Sequence, residues 1–183
     1  GSIAPIATEL PATALVTYHV VPAMSQIDSE ALRLGRFRRH PRKGTWSARF
    51  VLEAGPSGEA ALDHVEDLAV AMGRAGGLEG DEAAFVGVAL REAVVNAFRH
   101  GRSPDGAPCR IGLHLTQDAL VINVRDRGPG FDPSEVPDPR ATANLSRGSG
   151  RGLFYMKCFT DHLAFVFPRT GGSVVRLAKR TRS

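Results

Sequence analysis

Two cysteines in 183 residues, Cys109 and Cys158, are too few and too far apart for a disulfide framework or a cysteine metal site. No run of eighteen apolar residues occurs, so no stretch reads as a membrane-spanning helix. The mildly apolar stretch 12–24 has no basic residue before it, which speaks against a secretory signal. Internal repeats are absent as well. The length suits one domain with a proper core rather than two. A reduced, cytoplasmic setting is the expectation.

What is present is unevenly charged. The net charge is +4, yet residues 31–44 alone hold Arg33, Arg36, Arg38, Arg39, Arg42 and Lys43 with no acid. Arg176, Lys179, Arg180 and Arg182 make the C-terminal end basic too, and the stretch between is slightly acidic. Basic ends suit nucleic acid or anionic lipid. The cluster at 31–44 lacks the interleaved aromatics of a single-strand-binding surface, so solubilising, flexible ends are expected, with no direct nucleic-acid contact and no membrane.

Prolines interrupt residues 1–44, which read as an N-terminal extension or linker with one short helix near residues 29–38. From Thr45 the pattern sharpens, and residues 45–183 form the domain proper. Trp46, Ala48, Phe50 and Leu52 alternate with polar residues as in a strand. Leu62, Val65, Leu68, Ala69 and Met72 fall at helical spacing, and Gly76-Gly77 end that helix. Asp81 is placed to cap a second helix whose apolar face carries Phe85, Val88, Ala89, Val95 and Phe98. A hairpin over 110–125, a glycine- and proline-rich loop, a short helix over 150–159 and a hairpin over 162–178 complete the chain. This order predicts an α+β fold, a two-layer sandwich of helices on one face of a mixed, mostly antiparallel sheet.

Three segments carry chemistry. Glu92 and Asn96 stand four apart and share a helix face. A carboxylate and an amide on an apolar helix need partners if buried, although for this segment alone a solvent-facing polar stripe is the favoured reading. The second segment runs from Asp126 to Asp132, an acid at a strand end with Gly128 and Gly130 after it. Such a backbone turns sharply and can approach a ligand, or it is simply a turn leaving the hairpin. The spacing of Asp126, Asp132 and Glu135 fails the calcium-loop pattern. In the third segment Gly148, Gly150 and Gly152 run into a helix, where bare N–H groups suit a phosphate. No Lys-Ser/Thr follows, so it is not a Walker loop, and it lacks the setting of a dinucleotide fingerprint.

Taken in order, Glu-xxx-Asn on a helix, Asp-x-Gly-x-Gly after a strand and a later Gly-x-Gly helix start resemble the nucleotide-binding boxes of the GHKL (Bergerat-fold) ATPases. The resemblance spans residues 45–179. Glu-Ala-Val-Val-Asn-Ala-Phe-Arg-His-Gly and Gly-Arg-Gly-Leu-Phe-Tyr-Met-Lys-Cys-Phe-Thr-Asp are similar to the RsbW/SpoIIAB-type anti-sigma serine kinases in particular. It implies ATP with Mg²⁺, the metal held by Asn96, and Glu92 as the general base on the attacking hydroxyl. Asp126 would accept from the adenine amino group, with Ser173, where that family usually has threonine, helping to hold it. Gly128 and Gly130 would keep the turn open, and Gly150 and Gly152 would present N–H groups to the phosphates. Residues 131–147 would be a mobile lid, with Arg147 or Arg151 reaching the phosphates. His100 has no role beyond packing at a helix end.

The implied function is an anti-sigma factor and protein serine kinase that holds a sigma factor and phosphorylates a STAS-type anti-anti-sigma protein. Relatives usually dimerise, so a homodimer is expected. Two alternatives stand beside it: an ATP-binding regulatory module that transfers no phosphate, and the catalytic part of a histidine kinase. Against the last, His40 and His64 lie outside the phosphoacceptor pattern H-E/D-x-x-N/T/R.

Overall fold

A computed structural model describes residues 36–40 by their backbone, together with residues 45–101, 106–130 and 151–182. Six strands form one sheet: β1 (Arg36–His40), β2 (Thr45–Leu52), β3 (Cys109–Leu115), β4 (Ala119–Arg125), β5 (His162–Val166) and β6 (Val174–Arg180). Their order is β1-β2-β3-β4-β6-β5, and every described pairing is antiparallel. Among the described residues three helices accompany the sheet: α1 (Pro56–Ala75), α2 (Glu82–His100) and α3 (Arg151–Phe159). The α+β sandwich expected from the sequence is observed, with every described strand pairing antiparallel where a mixed, mostly antiparallel sheet was expected.

Alternation decides which face of the sheet meets the helices. Ala48, Phe50 and Leu52 of β2 are buried, as are Ile111, Leu113 and Leu115 of β3 and Leu120, Ile122 and Val124 of β4. Val175 and Leu177 continue the layer on β6. Leu62, Val65, Leu68, Ala69 and Met72 of α1 fill it from the other side. Burying each large aliphatic side chain contributes about 1.5–3 kcal/mol, so this layer dominates the fold. At the end of α1, Leu78 N–H donates back to Gly73 O at 3.0 Å, which closes the helix at the expected glycines.

Three local expectations need correction. Asp81 stands at the N-terminus of α2, but its side chain makes no capping bond. The left-handed Gly80 (φ 53°) already turns the chain, leaving Asp81 at φ −82°, ψ −10°, whereas a cap needs an extended backbone. The apolar face of α2 is only partly the expected one: Ala89 and Phe98 are buried as expected, with Val86, Leu90, Ala93, Val94 and Ala97 beside them, while Phe85 is 41% exposed. Phe85 instead stacks on Phe159 of α3, with ring centroids 4.5 Å apart. Finally, described parts of both basic ends belong to the sheet, while residues 41–44 lie outside the described residues. Residues 36–40 are a strand where a helix was expected over 29–38, and Arg176, Lys179 and Arg180 belong to β6. Residues 29–35 lie outside the described residues.

Candidate nucleotide site

Asp126 follows directly on β4 and is only 7% exposed; Ser173, just before β6, is 3% exposed. A carboxylate withdrawn from water costs several kcal/mol unless its oxygens are satisfied. Here three donors satisfy it. Gly128 N–H donates to Asp126 Oδ1 at 2.9 Å, Ser173 N–H to the same oxygen at 3.3 Å, and Ser173 Oγ to Oδ2 at 2.5 Å. Asp126 N–H also donates to Ser173 O at 3.0 Å, so the two residues hold each other through main chain and side chain. A carboxylate has about four acceptor positions, which leaves Asp126 able to take one more donor.

The same carboxylate packs on the C-terminal end of α2. A methyl group placed on Gly101 would lie 2.5 Å from Asp126 Cβ and Cγ, and one on Gly128 would lie 2.5 Å from Gly101 Cα. Both glycines are therefore required by close approach. They bring the end of the helix bearing Glu92 and Asn96 against the turn bearing Asp126. Cys109, at the start of β3, feels this neighbour. Burial, helped by the Asp126 charge, pushes its thiol up to about 12.

Glu92 and Asn96 are half-buried on α2 and face the start of α3. A methyl group on Gly152 would lie 2.6 Å from Glu92 Oε2 and 3.2 Å from Asn96 Nδ2. Gly152 thus lets the first turn of α3 sit directly on the carboxylate and amide. Arg91 turns the other way, toward α1, where it pairs with Asp63 and, at 2.5 Å, with Glu66. Its hydrogen bond to Asp63 is the main cause that raises its already high pKa. An open cleft of about 680 Å³ lies on that side, lined by Arg91, Val95, Phe98 and Arg99. It is separate from Glu92 and Asn96, and its shallow, charged walls show no converging chemistry.

Glu92, Asn96 and Gly152 are therefore brought together, as are Asp126, Gly128 and Ser173. Gly130 (φ 77°) follows in the same turn against the Phe167 ring, and Arg151 is exposed at the start of α3. Arg147 and Gly150, with the expected lid at 131–147, lie outside the described residues. One contributor was missed in the sequence: Gly101, whose contact with Gly128 joins residues far apart in the chain. Among the described residues no group of three or more His, Cys, Asp or Glu converges on a metal position. A cation here would rest on the Asn96 amide oxygen and on oxygens brought by a ligand, a donor set that suits Mg²⁺.

Residues 56–179 match the family described as the histidine kinase-like ATPase domain. The chain is also 34% identical over 71 residues to the signal transduction histidine-protein kinase AfsQ2 of Streptomyces coelicolor. That similarity covers 36% of this chain and 12% of AfsQ2.

Proposed function

The chain belongs to the histidine kinase-like ATPase domain family, and from that premise we propose that it is an ATP-dependent protein serine kinase acting as an anti-sigma factor. Its substrate in this reading is a STAS-type anti-anti-sigma protein, and a sigma factor is the partner it holds inactive. One contact carries the proposal: the bare Gly152 at the start of α3, set against Glu92 and Asn96. It puts a carboxylate where the phosphate end of a nucleotide would meet helix N–H groups.

In this reading Asp126 takes the adenine amino group on its remaining acceptor position, held in place by Ser173 and Gly128 N–H. Asn96 holds the cation, and the first turn of α3 gives N–H donors to the phosphates. Mg²⁺ with ATP supplies the transferable phosphoryl group and neutralises charge on its oxygens. Glu92 would orient the substrate serine and take its hydroxyl proton as the serine O–P bond forms and the bond from the γ-phosphorus to its bridging oxygen breaks, releasing ADP. The helix–glycine contact keeps side chains out of the space between base and phosphates.

A second reading, phosphoryl transfer to histidine, is favoured by the similarity to AfsQ2. The chain spans a small part of that protein, so the whole relative's activity is not carried over. Incubation with γ-labelled ATP and candidate STAS-domain proteins decides between them. Label on the STAS protein that survives acid is phosphoserine or phosphothreonine and supports the kinase reading. Acid-labile, base-stable label supports the histidine reading, and nucleotide binding with no transfer supports a regulatory module.

A further inference from the structure

None of the six strands contains an aspartate or glutamate, although they hold nine lysines and arginines. Helix α1 has the opposite bias, with Glu59, Asp63, Glu66 and Asp67 against Arg74. The molecule is therefore polarised across its two layers. Lys179, on the helix side of β6, is neutralised by Glu82 at 3.6 Å and Asp161 at 3.4 Å. The arginines of the open face are not. Arg49, Arg110, Arg125 and Arg176 are exposed and make no ion pair with any described residue.

The strand register groups these four. Arg110 stands directly opposite Arg125, flanked in the same cross-strand row by Val51 on one side and by Val174 and Val166 on the other. In the next row Arg49 and Arg176 bracket Gly112 and Asn123. Four guanidinium groups thus surround Gly112 and Asn123, with the His114 ring beside them, Nε2 3.2 Å from where a methyl group on Gly112 would lie. The register also pairs Arg36 of β1 with Arg49. Like charges set directly opposite on a sheet destabilise it, so this arrangement weakens the free fold. Val51 and Val166, at the two ends of the first row, are 56% and 50% exposed.

We propose that this open sheet face is a docking surface for an acidic segment of a partner protein, with carboxylates at its centre and apolar side chains at its two ends. Four strand spacings separate β2 from β5, so the apolar ends stand about 19 Å apart, the length of a helix of roughly 13 residues. Arginine forks match carboxylates in pairs, and the valines at the ends match aliphatic side chains. Nucleic acid fits less well. No phenylalanine, tyrosine or tryptophan stands on this face of the described strands to stack a base, His114 and His162 being its rings, and the flat sheet offers nothing to enter a groove. A second copy laid face to face would oppose arginine to arginine. The proposal rests on the strand register and is independent of the nucleotide chemistry.

The test uses the full chain and a fluorescein-labelled helical peptide of about 15 residues, with four glutamates at its centre and two leucines at each end. Binding is expected, weakening as salt rises, and absent for the same peptide with glutamines in place of glutamates. Arg110→Gln with Arg125→Gln should lower affinity at least about tenfold while the melting temperature holds or rises, since a like-charge pair is removed. Arg49→Gln with Arg176→Gln, which leaves that pair intact, should weaken binding similarly. Val51→Ser should weaken it by about threefold, and Arg74→Gln on α1 should leave it unchanged. Equal binding of the two peptides, or variants that bind like wild type, would overturn the proposal. So would tighter binding of duplex DNA or of phosphatidylglycerol vesicles, or self-association that competes the peptide off.

Discussion

Ser173 Oγ donates to Asp126 Oδ2 at 2.5 Å across 47 positions of sequence, tying the start of β6 to the end of β4. Removing the hydroxyl leaves a buried carboxylate short of one donor, which costs about 1–3 kcal/mol. Ser173→Ala should therefore lower the unfolding free energy by that amount, seen as a lower urea midpoint at an unchanged m-value. Ser173→Thr keeps the hydroxyl and should lose much less. Equal stability of wild type and Ser173→Ala would show that the short contact contributes nothing.

Gly152→Ala introduces a methyl group 2.6 Å from Glu92 Oε2. The carboxylate tip can swing aside, and alanine is the better helix former, so the fold should persist. Nucleotide affinity and phosphotransfer should each fall by about tenfold or more, because Glu92 and Asn96 are displaced together. Calorimetry beside circular dichroism checks this. An unfolded variant would make Gly152 structural only.

Much of this was legible in the sequence. The alternation of Trp46, Ala48, Phe50 and Leu52 and the helical spacing from Leu62 to Met72 both reappear as elements, because a strong apolar period leaves few other ways to bury those side chains. Strand β1 was not legible. Its sequence, Arg-Phe-Arg-Arg-His, carries charge rather than an apolar period, as edge strands often do. Its place is set by pairing with β2. Likewise Glu92 with Asn96 follows from helical spacing, whereas the contacts of Gly152 with Glu92 and of Gly128 with Gly101 are tertiary. The polarity of the two layers needed the register as well, since charge counted along the chain looked like basic ends.

Cys109 is buried and Cys158 exposed, and both are free thiols. At pH 8 iodoacetamide should alkylate Cys158 and spare Cys109, whose thiol is held protonated by burial and the nearby Asp126. Denaturant should expose both. The shift has a sign: the folded pKa of Cys109 is raised from 9.0 to about 12, so its contribution to stability is full below pH 9. Above that the unfolded thiol ionises and the folded one does not. Stability should fall toward pH 12 by up to about 1.4 kcal/mol per pH unit. The slope should be shallower in Cys109→Ala, and identical slopes would remove the thiol from the account.

Glu92→Gln and Asn96→Ala separate chemistry from binding. A general base acts on the chemical step, so Glu92→Gln should cut phosphotransfer by about 10²-fold or more while ATP affinity changes little. Asn96→Ala should weaken binding of ATP with Mg²⁺ as well, since the cation loses its protein ligand. Single-turnover transfer measured beside calorimetry distinguishes them. If Glu92→Gln transfers phosphate at the wild-type rate, Glu92 is not the base.

In the proposed function Asp126, held by Ser173 and Gly128, reads an adenine amino group. Calorimetry of the wild-type chain with Mg²⁺ and either ATP or GTP tests it most directly. A site built to pair a particular hydrogen-bonding group rejects an analogue lacking it, so GTP should bind at least about a hundredfold more weakly than ATP. Asp126→Asn should lose most of the affinity for ATP while remaining folded. Equal affinities for the two nucleotides, or undiminished ATP binding by folded Asp126→Asn, would contradict the account.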